Sequence, residues 1–145
     1  MKLRLLRNLV SLLMCCGFVL ASSPALAQSK GPNPEASQEV RNEAVVTKLK
    51  STSGTVAVYA QGLCCPSCAI GVRKKVSGLA FVDQARLEKG IELDAKTQLV
   101  TIAVKPGAKI DNKVLRQAIL DAGYEPVHLY TMAGDKLVTT SISTK

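Results

Sequence analysis

The residues that decide the fold are 54–79, GTVAVYAQGLCCPSCAIGVRKKVSGL. In the first part, Val56, Val58 and Ala60 alternate with the residues between them, and this period of two is typical of a β-strand. After the cysteines, apolar residues recur at helical spacing, at Ala69, Val72, Val76 and Leu79. The stretch therefore predicts a strand, a cysteine loop and an amphipathic helix that begins at the cysteines.

The residues that follow predict the rest of one α+β domain. Residues 82–93 and 98–104 predict two antiparallel strands, because residues 94–97 supply turn chemistry between them. Asp111 or Asn112 can cap a second helix, Gly123 suits its C-terminal cap, and residues 124–130 predict a fourth strand. The order strand, helix, strand, strand, helix, strand predicts a ferredoxin-like βαββαβ sandwich, in which a four-stranded antiparallel sheet carries both helices on one face.

The first 27 residues have the pattern of a secretory signal peptide. Lys2, Arg4 and Arg7 precede an apolar stretch over residues 9–21, and Ala25-Leu26-Ala27 is a small-x-small cleavage signal. The apolar stretch is shorter than the roughly 20 residues that a membrane-spanning helix needs. We therefore predict cleavage after Ala27, export, and no membrane span after cleavage.

The remaining boundaries follow from changes in composition. Residues 28–53 contain Gly31, Pro32 and Pro34 and lack a sustained period, which predicts a linker with room for one or two helical turns. Residues 54–131 form the predicted domain. Residues 132–145 are polar and predict a C-terminal tail.

Composition excludes several classes of protein. A chain of 145 residues is typical of one domain, which excludes a large multidomain enzyme. Removing the signal peptide leaves 16 basic residues against 11 acidic ones, a net charge of +5. Trp is absent, and Tyr and Phe number only 3 and 2, so the aromatic platforms that hold single-stranded nucleic acid cannot be assembled. We predict no nucleic-acid partner.

Signal cleavage leaves three cysteines, Cys64, Cys65 and Cys68, within five positions. An odd and clustered set is not a disulfide framework. Cys65 and Cys68 lie three residues apart at the start of the predicted helix, whose N-terminus favours thiolate over thiol. Soft thiolates select Cu(I), and by the same argument Hg(II), over hard cations. The pair therefore predicts a site for one Hg(II) or Cu(I) ion.

Other uses of the same residues stay open. Cys64 could be a third ligand of a trigonal site, although adjacent residues of an extended loop point in opposite directions. A closed zinc site is disfavoured, because the chain has no second cysteine pair and His128 is its only histidine. A Cys-x-x-Cys pair at a helix start is also typical of thiol–disulfide oxidoreductases, which is the alternative function. Against it stand the antiparallel order and the absence of Trp beside the motif.

The motif Gly62-Leu63-Cys64-Cys65-Pro66-Ser67-Cys68, the following helix and Asp121-Ala122-Gly123-Tyr124 together resemble the heavy-metal-associated domain. This family includes copper chaperones, soluble domains of copper-transporting ATPases and periplasmic mercury-binding proteins. The resemblance implies that Cys65 and Cys68 are the metal ligands, that Leu63 is the buried residue of the loop and that Tyr124 lies near the loop. Leu63 replaces the usual Met, and Cys64 replaces a small polar residue.

The resemblance also implies capture and transfer rather than catalysis. We expect a periplasmic carrier, acting as a monomer, that passes the ion by ligand exchange to a membrane metal transporter or another thiol-bearing acceptor. A metal-sensing adaptor domain is a further alternative. Arg73, Lys74 and Lys75 lie beside the sulfurs in sequence, and either offset the charge of a dithiolate complex, dock an acidic partner or form a solvated helix face.

Overall fold

A computed structural model describes residues 35–65 and 67–143, apart from the side chain of Cys68. The elements within these residues are α1 (Gln38–Ser51), β1 (Thr55–Gln61), α2 (Cys68–Val76), β2 (Ile91–Asp94), β3 (Leu99–Ala103), α3 (Asn112–Leu120), β4 (Glu125–Ala133) and β5 (Lys136–Ser141). The predicted signal peptide, residues 1–27, and the first part of the predicted linker lie outside the described residues. The longest described helix has 14 residues, and no described helix has the length and apolar composition that a membrane span requires.

The strands form one antiparallel sheet in the order β2-β3-β1-β4-β5. β1 lies at the centre, where Val58 pairs with Val100 of β3 on one side and with Leu129 of β4 on the other. The cysteine loop follows β1 and leads into α2. The central strand of the sheet therefore carries the cysteines at its C-terminal end.

Both faces of the sheet are buried at its centre, along β1 and β3. Val56, Val58 and Ala60 of β1 belong to a core cluster with α2 and α3, whereas Ala57 and Tyr59 belong to a second cluster with α1. The helices contribute Val72, Val76, Leu115, Ala118 and Ile119 to the first cluster, and Val45 and Leu49 to the second. The molecule thus has three layers, with α1 on one face of the sheet and α2 and α3 on the other.

The predicted α+β class and antiparallel sheet are confirmed, but the prediction of four strands and two helices is wrong for the described part of the chain. The predicted order of elements is present as β1-α2-β2-β3-α3-β4, and α1 precedes it while β5 follows it. Asp111 caps α3 by accepting hydrogen bonds from the amides of Lys113 and Val114, and Gly123 has the predicted left-handed conformation, with φ of +91°.

Helix α1 corrects the prediction of a linker over residues 28–53. Ser37 caps it by accepting a hydrogen bond from the Val40 amide. A hydrogen bond from the backbone N–H of Glu39, and after it one from the Ser37 hydroxyl, lowers the pKa of the Glu39 carboxyl. The buried positions of α1 are Arg41, Val45 and Leu49, spaced four residues apart. Because the first of these positions is an arginine, the helix shows no sustained apolar period in sequence.

Strand β5 corrects the prediction of a C-terminal tail over residues 132–145. β4 continues to Ala133, and β5 pairs with it antiparallel, from His128 opposite Ser141 to Ala133 opposite Lys136. Most residues of β5 are exposed. Backbone hydrogen bonds to β4, and not burial of side chains, hold this strand in place. Its sequence therefore shows no apolar alternation from which a strand could be predicted.

The strand predicted over residues 82–93 is present only in its last part, and the residues before it form turns. Only Ile91–Asp94 forms β2, and residues 77–90 form successive turns in which Leu87 and Lys89 have φ of 50° and 55°. Phe81 and Val82 nonetheless enter the core, which packs the segment against the molecule. Positive φ values interrupt the extended backbone that a strand requires.

Candidate metal site at the cysteine loop

The cysteine loop is anchored in the core immediately after β1. The Leu63 amide donates a hydrogen bond to the Ala60 carbonyl at 3.3 Å, and the Leu63 side chain is only 1% exposed. The burial that the resemblance implies for Leu63 is therefore observed. With this anchor in place, Cys64 is exposed and Cys65 is half-buried.

Tyr124 borders the loop on the side of the α3–β4 connection. Gly62 has φ of +92°, and a Cβ built on it would lie 3.8 Å from Cδ1 of Tyr124. Tyr124 also packs against the core cluster on the α2 and α3 face. The ring therefore lies next to the first residue of the motif, as the resemblance implies.

The sulfur of Cys65 lies close to the N-terminus of α2. Its Sγ is 3.3 Å from the Ser67 hydroxyl, and Ser67 is the residue that precedes the first helical residue, Cys68. The Ser67 side chain makes no capping hydrogen bond to the helix. Amides of the first helical turn therefore have no partner from this side chain, and their partial positive charge favours an anionic sulfur nearby.

The cysteine loop contains a disulfide-bonded cysteine. Cys65 is disulfide-bonded, and its partner sulfur lies outside the described atoms. The Cys64 side chain is exposed. The side chain of Cys68 is not described, so the structure places Cys68 only by its backbone at the start of α2. A thiolate at Cys65 therefore forms only after reduction of this disulfide.

Arg73 of α2 forms an ion pair with Glu88, a residue that the sequence did not indicate as part of the site. Arg73 Nη2 donates a hydrogen bond to Glu88 Oε2 at 2.8 Å. Glu88 belongs to the turn segment 77–90, and Arg73, Glu88 and Cys65 line one cavity. No spacing in the sequence indicates this contact, because it depends on how the turn segment folds back onto α2.

His128 and Met132 are not part of this site. His128 pairs with Tyr59 across the strands, and its ring lies 6.3 Å from the Tyr59 ring and 6.0 Å from the Tyr130 ring. Met132 packs against the same cluster of buried residues under α1. Both residues therefore lie on the face of the sheet opposite to α2.

Within the part of the chain that the structure describes, no group of three or more His, Cys, Asp or Glu side chains is placed to hold a metal ion. A two-coordinate site needs only two sulfurs, and one of the two predicted sulfurs, that of Cys68, is not among the described atoms. Cys64 and Cys65 are neighbours in the loop, so a third sulfur is available within one residue of the pair.

No family model matches the chain, and no curated protein or solved structure matches it.

Proposed function

We propose that the protein is an exported carrier of a soft heavy-metal ion, Hg(II) or Cu(I), that binds one ion through Cys65 and Cys68. The observation that carries the proposal is the position of the Cys65 sulfur, 3.3 Å from the Ser67 hydroxyl at the start of α2, with Cys68 as the first residue of that helix. Two thiolates at a helix N-terminus form a soft, low-coordinate site.

The order β1-α2-β2-β3-α3-β4 supports a ferredoxin-like core, and with the loop motif it supports membership of the heavy-metal-associated family. Burial of Leu63 and the place of Tyr124 beside Gly62 agree with the roles that the family implies for them. On this proposal, α1 and β5 are additions to the family's core.

Transfer proceeds by ligand exchange. A thiolate of the acceptor attacks the bound ion and forms a new metal–sulfur bond, and the bond to Cys65 or Cys68 then breaks. The released thiolate takes up a proton or pairs with the next ion, and the oxidation state of the metal does not change. No bond of an organic substrate is broken, so the proposed protein is a carrier and not an enzyme. We further propose that it acts as a monomer in the periplasm and serves a membrane metal transporter or another thiol-bearing acceptor.

Native mass spectrometry tests the site directly. The processed protein is reduced with a phosphine, Cu(I) and Hg(II) are added separately in an excess of 2-mercaptoethanol, and the complexes are weighed. We expect one ion per protein, lost in Cys65→Ser and in Cys68→Ser. Loss in Cys64→Ser as well would make Cys64 a third ligand, whereas retention leaves the pair two-coordinate. Binding that survives both Cys65→Ser and Cys68→Ser would contradict the proposal.

A thiol–disulfide oxidoreductase is the second candidate, and the disulfide at Cys65 is the observation that favours it. In that function, Cys65 is the attacking thiolate and Cys68 resolves the mixed disulfide. An insulin-reduction assay separates the two. A carrier leaves insulin intact and retains its ion against thiol competition, whereas an oxidoreductase reduces insulin and loses the ion.

A further inference from the structure

A cavity lies beside the cysteine loop. Its volume is about 320 Å³, within the range of roughly 300–1,000 Å³ that is usual for small-molecule sites. Its apolar walls are formed by Leu63, Ala69, Leu93 and Ala95. The other described residues that line it are Cys65, Arg73 and Glu88, so a cysteine and an ion pair border the same space.

Arg73 has hydrogen-bonding capacity that the described residues do not use. Its side chain is 22% exposed, and Nη2 is engaged by Glu88, but the buried Nε has no hydrogen-bond partner among the described residues. A buried N–H of a charged group without an acceptor is unfavourable, so an acceptor oxygen brought to Arg73 is stabilised there. The Glu88 side chain is 71% exposed and can exchange its place on Arg73 for another carboxylate.

We propose that this cavity binds a small thiol that carries a carboxylate, with the thiol sulfur at Cys65 and the carboxylate on Arg73. The inference rests on the proposed function, because the same thiol would bring the soft ion to the site as its thiolate complex. The apolar walls suit the short carbon chain between the two groups of such a ligand. Arginine binds carboxylates in a planar, directional geometry, which selects the ligand.

The small thiol also supplies the reduction that Cys65 needs. Its thiolate attacks the Cys65 sulfur, a mixed disulfide with Cys65 forms, and the former partner sulfur leaves as a thiolate that takes up a proton. A second molecule of the thiol attacks the small-thiol sulfur, releases Cys65 as a thiolate and leaves as the symmetric disulfide. Two thiols are oxidised and one protein disulfide is reduced. When the ligand arrives as a metal complex, the Cys65 thiolate instead displaces one small thiolate from the ion.

The test compares two thiols that differ only in charge. The Cys64→Ser/Cys68→Ser variant, which keeps Cys65, is equilibrated with redox buffers of 3-mercaptopropionate or of 3-mercaptopropionamide. The mixed disulfide at Cys65 is then quantified by mass spectrometry of the peptide that contains it. We expect the carboxylate thiol to be favoured about tenfold, the preference expected when a hydrogen bond to a charged group is gained. Equal occupancy by the two thiols would overturn the proposal.

Three further substitutions locate the carboxylate. Arg73→Gln should abolish the preference, and Lys75→Gln should keep it, because Lys75 is an exposed residue of the same helix that does not line the cavity. Glu88→Gln should increase the preference by removing the competing carboxylate. A preference that persists in Arg73→Gln, or one that is unchanged in Glu88→Gln, would overturn the proposal. If Arg73→Gln fails to fold, the change in thiol preference in Glu88→Gln still tests whether the carboxylate binds Arg73.

The failure of this inference is distinguishable from failure of the metal-carrier proposal. Metal retention is measured with a phosphine and 2-mercaptoethanol, so that measurement involves no carboxylate-bearing thiol and does not depend on Arg73. A protein that retains its ion but shows no preference between the two thiols refutes the carboxylate site alone. A protein that binds no ion refutes the carrier proposal whatever the thiol preference.

Discussion

Arg41 is the most completely buried charged residue of the described chain, with 3% of its surface exposed. Its Nε donates to the Thr97 carbonyl at 3.3 Å and its Nη2 donates to the Ala36 carbonyl at 2.9 Å. The guanidinium also lies 3.6 Å from the centre of the Tyr59 ring, a cation–π contact. One side chain therefore joins the start of α1 to the sheet and to the β2–β3 turn.

We expect Arg41→Ala to lower the free energy of unfolding by about 2 kcal/mol, because two carbonyl groups lose a charged donor and the Tyr59 ring loses its cover. Chemical denaturation followed by circular dichroism measures the change. Glu43→Ala, an exposed substitution on the same helix, is the matched control and should stay within about 0.5 kcal/mol. Equal effects of the two substitutions would show that the Arg41 contacts contribute nothing to stability.

The cysteine site divides into a part that residue spacing predicts and a part that it does not. Cys65 and Cys68 could be proposed because their spacing and the adjoining helix pattern are local features of the chain. Glu88 could not, because it reaches the site only through the turns of residues 77–90 and through its pairing with Arg73, 15 residues away in sequence. The disulfide at Cys65 agrees with the Cys-x-x-Cys spacing, but that spacing is also typical of metal sites and could not decide the covalent state of Cys65.

Helix α1 covers one face of the sheet, although its own sequence shows no clear amphipathic pattern. It contacts β1 and β4 and buries Val45 and Leu49 on the face of the sheet opposite to α2 and α3. A helix with two buried apolar residues and a buried arginine shows little amphipathic contrast. The need for a helix on this face is instead visible in β1, where six of seven residues are buried. A strand that is buried along its whole length indicates that both faces of the sheet are covered there.

We expect Leu49→Ala to lower the free energy of unfolding by about 2 to 3 kcal/mol, since a side chain that is 4% exposed would leave a cavity between α1 and the sheet. Val40→Ala on the same helix removes a side chain that is 53% exposed and should have little effect. Thermal and denaturant unfolding of both variants measures the difference. A Leu49→Ala protein as stable as Val40→Ala would mean that α1 is not part of the cooperative unit.

At the level of the whole molecule, the three layers place the cysteine loop at one end of the central strand and leave α1 on the far face of the sheet. Glu35, near the start of the described chain, accepts a hydrogen bond from the Tyr59 hydroxyl and lies 3.5 Å from Arg41. The residues just before α1 are thus attached to the sheet. Export would have to preserve this segment for the domain to keep its N-terminal contacts.

We expect the exported protein to begin at Gln28, because Ala25-Leu26-Ala27 is the cleavage signal, and this cut leaves Glu35 and Ser37 in place. N-terminal sequencing and the intact mass of the protein recovered from the periplasm measure the cleavage point. Ala27→Asp, which removes the small residue before the cut, should cause the uncleaved precursor to accumulate. Recovery of the full-length chain from the cytoplasm alone would contradict export.

The sequence by itself determined the features that depend on neighbours along the chain. These are the strand, loop and helix around the cysteines, the capped helix α3 and the antiparallel order of the central elements. Only the tertiary structure decided that α1 covers the second face, that β5 extends the sheet and that Glu88 meets Arg73 beside Cys65. The physical reason is that periodicity records burial against a single partner layer. In α1 a buried arginine interrupts the apolar positions, β5 is held by backbone pairing, and Glu88 lies in a turn segment, so none of these features repeats along the sequence.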